Sequence, residues 1–212
     1  MRKMRIAKRQ FAVVNRKGFT LVELLVALIV ASIVLSAVVS LAYAMGKAND
    51  ISDDSAQKQA QVRYATVRIS ELIRHCKLIC GTRGDDLAVW RADDNGNGQI
   101  NINELVYIER GADRNYLRLC EFYSSSNPLI NLSDIGTLVT DSFEAKYTQM
   151  IPACSNVQFT FDVVPPQSGF LSISFAIVEN DSVRQYQISA ALRGWAGHLL
   201  NESGSAIVSD DD

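Results

Sequence analysis

Histidine is scarce in this chain of 212 residues, which has two, His75 and His198. Chemistries built on histidine clusters, such as zinc sites and histidine-assisted nucleophiles, therefore lack their usual material. The sequence contains no G-x-S-x-G, G-x-x-x-x-G-K-[ST], H-E-x-x-H or G-x-G-x-x-G, and no enzyme activity is expected. Isolated acids such as Glu71, Glu121 and Asp162 read as solvated faces or ion pairs. Trp90 and Trp195 read as core or head-surface aromatics. Proline is absent before Pro128, and Gly46 is the one glycine between Gly18 and Gly81. Nothing in that stretch forbids a continuous helix. The first 18 residues hold no acid and seven bases, which leaves 14 bases against 23 acids in the rest. A working domain that acidic is not expected to take nucleic acid as its main partner.

What is present first is a long apolar run. Leu24 to Met45 is 22 residues without a charge, roughly 33 Å as a helix, enough to cross a bilayer once. It is too long for the core of a cleaved secretory signal. The bases lie before the run, while Asp50, Asp53 and Asp54 follow it. The Lys/Arg bias thus puts the N-terminus in the cytoplasm and the bulk of the chain outside. Glu23, at the edge of the run, is costly in hydrocarbon unless paired or neutralised, which marks it as a functional residue.

The segment Arg16-Lys17-Gly18-Phe19-Thr20-Leu21-Val22-Glu23 closely resembles the recognition sequence of prepilin peptidase substrates, the type IV pilins and type II secretion pseudopilins. The resemblance implies cleavage between Gly18 and Phe19, N-methylation of Phe19, and pairing of Glu23 with the N-terminal amine of a neighbouring subunit. It also implies a bacterial inner-membrane protein with one span, a periplasmic or extracellular head, and assembly into a filament. The partners implied are the prepilin peptidase, other pilin or pseudopilin subunits and the inner-membrane assembly platform. The match is specific over 16–45 and loose over 46–195. Within the family the chain looks most like a J-type minor pseudopilin or a W-type minor pilin. The proline often carried in the first half of the helix of major pilins is missing.

The organisation expected is α+β and pilin-like: one long helix, transmembrane in its first half, packed on an antiparallel β-sheet head. Residues 1–18 form the leader, 19–45 the membrane and filament-core helix, 46–80 its continuation, 81–195 the head and 196–212 a frayed tail. Val62, Ala65, Ile69, Leu72, Cys76 and Ile79 recur every three or four residues as one stripe, with Gly81 as the stop, so the helix is expected to end near Cys80. Period-two segments then predict strands at Leu87–Ala92, Leu105–Arg110, Tyr116–Phe122, Val157–Val164, Phe170–Glu179 and Val183–Leu192. Turns are expected at Gly111–Arg114 and Asn180-Asp181, and 123–153 reads as a long loop with at most a small element. Cys76, Cys80, Cys120 and Cys154 all fall in the exported part, where disulfides persist; three pairings are open.

Asp93 to Glu104 fits the twelve-residue calcium loop D-x-[DN]-x-[DN]-G-x5-E at every specified position. Asp93, Asn95 and Asn97 would supply side-chain oxygens and Gln99 its carbonyl. Asn101 would supply an oxygen directly or through water, and Glu104 two carboxylate oxygens. The flanks read as strands, and two charged ligands suggest a weak Ca2+ site, on the order of 10⁻⁴ M or weaker. The bland counterpart is an Asn/Gly-rich turn that binds nothing. Function is therefore expected to be structural: a processed filament subunit, with calcium as a stabiliser. The alternative is a membrane-anchored calcium module that joins no filament.

Overall fold

The computed structural model describes residues 18–111, 113–138, 143–194 and 196–208. The leader before Gly18, Ala112 of the first expected turn, Trp195 and the acidic end 209–212 lie outside the described residues. The layout is α+β and pilin-like: one long N-terminal helix followed by antiparallel strands. The chain divides into two compact units, Met1–Asp50 and Ile51–Asp212.

Helix α1 spans Leu21–His75. In the first unit every large apolar side chain from Leu24 to Met45 leaves half or more of its surface uncovered. That surface needs lipid or other protein around it, because water does not stabilise it. Ser32, Ser36 and Ser40 turn their hydroxyls back to the carbonyls of Ile29, Ile33 and Ser36 at 2.8–2.9 Å. The serine hydroxyls of the apolar segment are thus satisfied within the helix, as hydrocarbon requires.

In the second unit α1 buries Ala65 and Ile69 of the expected stripe, and then Ile73, which the stripe did not include, while the expected Leu72 is half-buried at the edge of the same core. The helix stops at His75, five residues before the expected end. Lys77 N–H donates to the Trp90 carbonyl at 2.9 Å, and Leu78–Arg83 becomes β1. The reason is alternation: Ile79 faces one core while Leu78 and Cys80 face the other, which a strand achieves and a helix turn does not. Gly81 sits at a register shift between β1 and β2 rather than at a helix cap.

Strands β2 (Asp86–Trp90), β3 (Leu105–Glu109), β4 (Leu117–Tyr123) and β5 (Glu144–Ile151) complete a five-stranded antiparallel meander in chain order. Strand β5 and a 3-10 helix at Leu132–Thr137 fill the stretch read as a loop. Strands β6 (Ser155–Phe161), β7 (Phe170–Glu179) and β8 (Ser182–Ala191) make a second sheet, with β7 central. Both residues of the Asn180-Asp181 turn have positive φ, 49° and 59°, the backbone of a tight hairpin whose twist suits the strands.

One core packs the helix stripe, the inner face of the meander and the inner face of the second sheet; Ile69, Val106, Leu119, Ile173 and Ile188 are among its members. The other lies on the outer face of the meander, where Trp90, Tyr107 and Phe122 are covered by Ile135, Leu199 and Leu200. With both faces buried, β3 reads as the unbroken apolar run Leu105-Val106-Tyr107-Ile108. The tail is not frayed over 196–208. Ala196–Leu199 forms a 3-10 helix and Leu200 bridges Ile207, because the second core needs Leu199 and Leu200 as its cover.

Candidate functional site

Two places carry the residues singled out by the sequence: the start of α1 and the loop between β2 and β3. Gly18, Phe19 and Thr20 precede the helix and are exposed. A Cβ built on Gly18 meets nothing within 4 Å, so the fold itself has no need of glycine at that position. Phe19 is 85% exposed.

Glu23 closes a reciprocal pair with Thr20. The Thr20 N–H donates to Glu23 Oε2 at 2.9 Å, the Thr20 hydroxyl donates to the same oxygen at 3.0 Å, and the Glu23 N–H reaches the Thr20 hydroxyl at 3.2 Å. Thr20 is the N-cap and Glu23 the third helical residue, an arrangement that satisfies helix-start donors without water. The role of Thr20 escaped the sequence reading, although the T-x-x-E spacing is its signal. One carboxylate oxygen of Glu23 is thus committed to Thr20, and Oε1 retains its capacity for a partner.

The Asp93–Glu104 loop folds around its own polar side chains. Asp93 accepts the N–H of Asn97 at 3.1 Å and of Gly98 at 2.9 Å. Asn97 Oδ1 accepts Gln99 N–H at 2.9 Å, and Asn95 Oδ1 accepts Asn97 N–H at 3.0 Å. The amide groups of Asn95 and Asn97 both donate to Asn101 Oδ1 at 2.9 Å. Gly96 and Gly98 hold φ of 68° and 66°, a left-handed backbone that favours glycine. Asp93, Asn95, Asn97 and Asn101 are therefore gathered into one cluster, while Gln99 contributes its backbone to the same turn.

Glu104 is buried and pinned at the loop's exit. Oε1 accepts Asp94 N–H at 3.0 Å; Oε2 accepts Asn101 N–H at 3.2 Å and the indole N–H of Trp90 at 3.1 Å. A carboxylate offers about four lone-pair sites, so the free capacity is on Oε1, and a two-oxygen grip would cost Oε2 one of its two donors, the Trp90 indole N–H or the Asn101 N–H. The donor set is otherwise chemically suited to a hard cation: oxygen ligands, two charged groups and a glycine-permitted turn. Among the described residues no three His, Cys, Asp or Glu side chains gather as a metal group, since most donors in this loop are Asn amides.

The four cysteines are free thiols. Cys76 and Cys154 pack at the first core, Cys80 and Cys120 in the second. Tyr107 pairs with Cys120 and with Ala88, so β2 and β3 separate Cys80 from Cys120 by about 14 Å, beyond the reach of a disulfide. Burial pushes the thiols of Cys76 and Cys120 up to about 12 and that of Cys154 to about 11. It raises Cys80 as well, with the neighbouring Cys76 adding to the effect.

A family model described as the prokaryotic N-terminal methylation motif matches residues 14–39. The chain therefore carries the processing segment typical of type IV pilins and pseudopilins, followed by a helix long and apolar enough to cross a membrane. A comparison with curated proteins and one with solved structures each returned no match.

Proposed function

We propose that the protein is a minor filament subunit, cut between Gly18 and Phe19 by a prepilin peptidase, methylated at Phe19 and anchored by its apolar helix until assembly. The observation that carries this reading is the segment Gly18–Glu23 itself: an exposed glycine at the scissile position, directly before a capped helix whose apolar surface is uncovered. Glu23 Oε1 is the acceptor for the amine of a neighbouring subunit, which removes the cost of a lone carboxylate at the hydrocarbon edge. A minor pseudopilin of the J type or a minor pilin of the W type fits the large head and the helix without proline. The head faces the periplasm or the exterior, and the leader faces the cytoplasm.

The test is the mass of the N-terminal peptide after expression with a prepilin peptidase, expected to begin at N-methylated Phe19. An intact Met1, or a cut elsewhere, would overturn the reading. Crosslinks between subunits through 19–45 are expected in membranes; a strictly monomeric chain would favour an anchored module instead.

We also propose that the Asp93–Glu104 loop takes Ca2+, with Asp93, Asn95, Asn97, Asn101 and Glu104 as side-chain ligands and Gln99 as a carbonyl ligand. Its support is the gathering of Asp93, Asn95, Asn97 and Asn101 in one turn, with Glu104 bonded to the Asp94 and Asn101 N–H groups at the loop's exit. The ion would neutralise Asp93 and Glu104 and tie the ends of the loop together. Calcium at about 100 times its Kd is expected to stabilise the folded chain by about 2.7 kcal/mol. Asp93→Ala combined with Glu104→Ala should abolish that increment; an increment that survives the double change would place the ion elsewhere.

A further inference from the structure

We propose that the Asp93–Glu104 loop is a calcium-set clasp on the segment 124–130, so that cation occupancy fixes the position of that stretch of the head. The inference rests on the calcium reading above and adds to it a second element that the ion controls.

Asn101 belongs to both parts. Its Oδ1 takes the amide groups of Asn95 and Asn97, while its Nδ2 donates to the Asn127 carbonyl at 2.8 Å. A primary amide is rigid and planar, with one acceptor end and one donor end. Whatever holds the oxygen in the loop therefore also aims the nitrogen at Asn127. The same amide, left without a cation, is held by two neighbouring side chains that are themselves exposed.

Asn103, which is not a ligand in the calcium pattern, extends the contact. Ser124 N–H donates to Asn103 Oδ1 at 2.7 Å, Asn103 Nδ2 donates to the Ser124 carbonyl at 2.9 Å, and Asn103 N–H donates to Asn127 Oδ1 at 3.1 Å. Backbone bonds from Ile102 to Pro128 at 3.1 Å and from Ile130 to Ile100 at 2.8 Å complete the join. Asn127 has φ of 39°, a conformation that non-glycine residues adopt at a cost and keep where their surroundings hold it. Ile130 at the end of the segment packs against the second core, while Leu129 is 62% exposed and 124–127 bring no apolar side chain. Over 124–128 the bonds that hold the segment come from Asn101, Ile102 and Asn103, and local stability of that kind follows whatever stabilises the loop.

The experiment is hydrogen exchange on the full chain in detergent micelles, with and without calcium, alongside calorimetric calcium titration. Calcium is expected to slow the amides of 124–130 about tenfold. Asn103→Ala should leave calcium heat in place while cutting that slowing by half or more. Asn103→Asp, which keeps the acceptor for Ser124 and loses the donor, serves if the alanine variant does not fold. Calcium heat with unchanged exchange over 124–130 would overturn the clasp and leave the ion site standing. Slowing that persists in full in the Asn103 variants would overturn it too. Absence of any calcium heat in the unaltered chain would overturn both readings.

Discussion

At the scale of single residues, Thr20 is the neighbour that occupies Glu23 Oε2 and leaves Oε1 open. Without the threonine hydroxyl, Glu23 Oε2 loses one donor and the first helical turn loses its cap. Thr20→Ala is expected to cost about 1 kcal/mol at the helix start. It should speed amide exchange at Leu21–Leu24 in micelles, while Thr20→Ser restores protection. Equal protection in all three forms would show that the cap is idle. The thiols give a second residue-scale prediction. Their folded values lie above the unfolded value near 8.5, so the folded state retains protons that the unfolded chain gives up. Their contribution to stability is therefore whole below about 8.5 and declines as pH rises from there toward 11 or 12. At pH near 8 the native head should react with iodoacetamide far more slowly than the denatured chain, at all four cysteines. A fast native cysteine would contradict the burial that raises it. The methylation motif was legible in the sequence because a short motif encodes it locally. Trp90 as the donor to Glu104, and Asn127 as the partner of Asn101 and Asn103, were not, since those contacts join residues far apart in the chain.

At the scale of elements, the C-terminal half of α1 is held by three fully buried side chains on one stripe. Ile69, at the middle of that stripe, is expected to be the most sensitive: Ile69→Ala should lower head stability by 2–5 kcal/mol at roughly constant m-value. Val67→Ala on the exposed side of the same helix should change it by less than about 0.5 kcal/mol. Near-equal effects would mean that the helix is not seated by this stripe. The stripe shows what periodicity can and cannot deliver. Ala65 and Ile69 follow a true helical pattern. Cys76 and Ile79 extend it arithmetically while belonging to the strand transition, because spacings of three and four do not exclude a period of two over a few residues. Strand β5 was hidden for a related reason. Its exposed Glu144, Lys146, Tyr147 and Gln149, with half-buried Ala145 and Thr148 among them, give an edge strand too polar to announce itself. The clamp between the sheets was equally invisible. Arg110 reaches Asp85 at 2.5 Å and the Val157 carbonyl at 2.8 Å, tying the β1–β2 turn region to β6 by a pairing that no local pattern encodes.

At the scale of the whole molecule, the two units answer to different solvents. Among the described residues the first presents apolar side chains on every side of a helix and contributes none to a core, so its free energy is set by the apolar surroundings it finds. The second has two cores, and their helical members begin at Val62. Among the described residues, no buried residue of either core comes from the first unit. Removal of residues 1–50 is therefore expected to leave the head folded, with a melting temperature within a few degrees of that of the full chain in micelles, a margin set by about 1 kcal/mol. The same change should move the protein from the membrane fraction to the aqueous one, since the hydrophobic term that anchors it resides in 24–45. Circular dichroism melting of both forms, with fractionation of cell lysates, reads the two outcomes separately. A truncated chain that failed to fold would show that the head depends on the anchor, and the division of labour between an assembly helix and a self-supporting head would then be wrong. If the head folds alone, calcium titration on it can be carried out free of micelles, and the loop's contribution becomes separable from that of assembly.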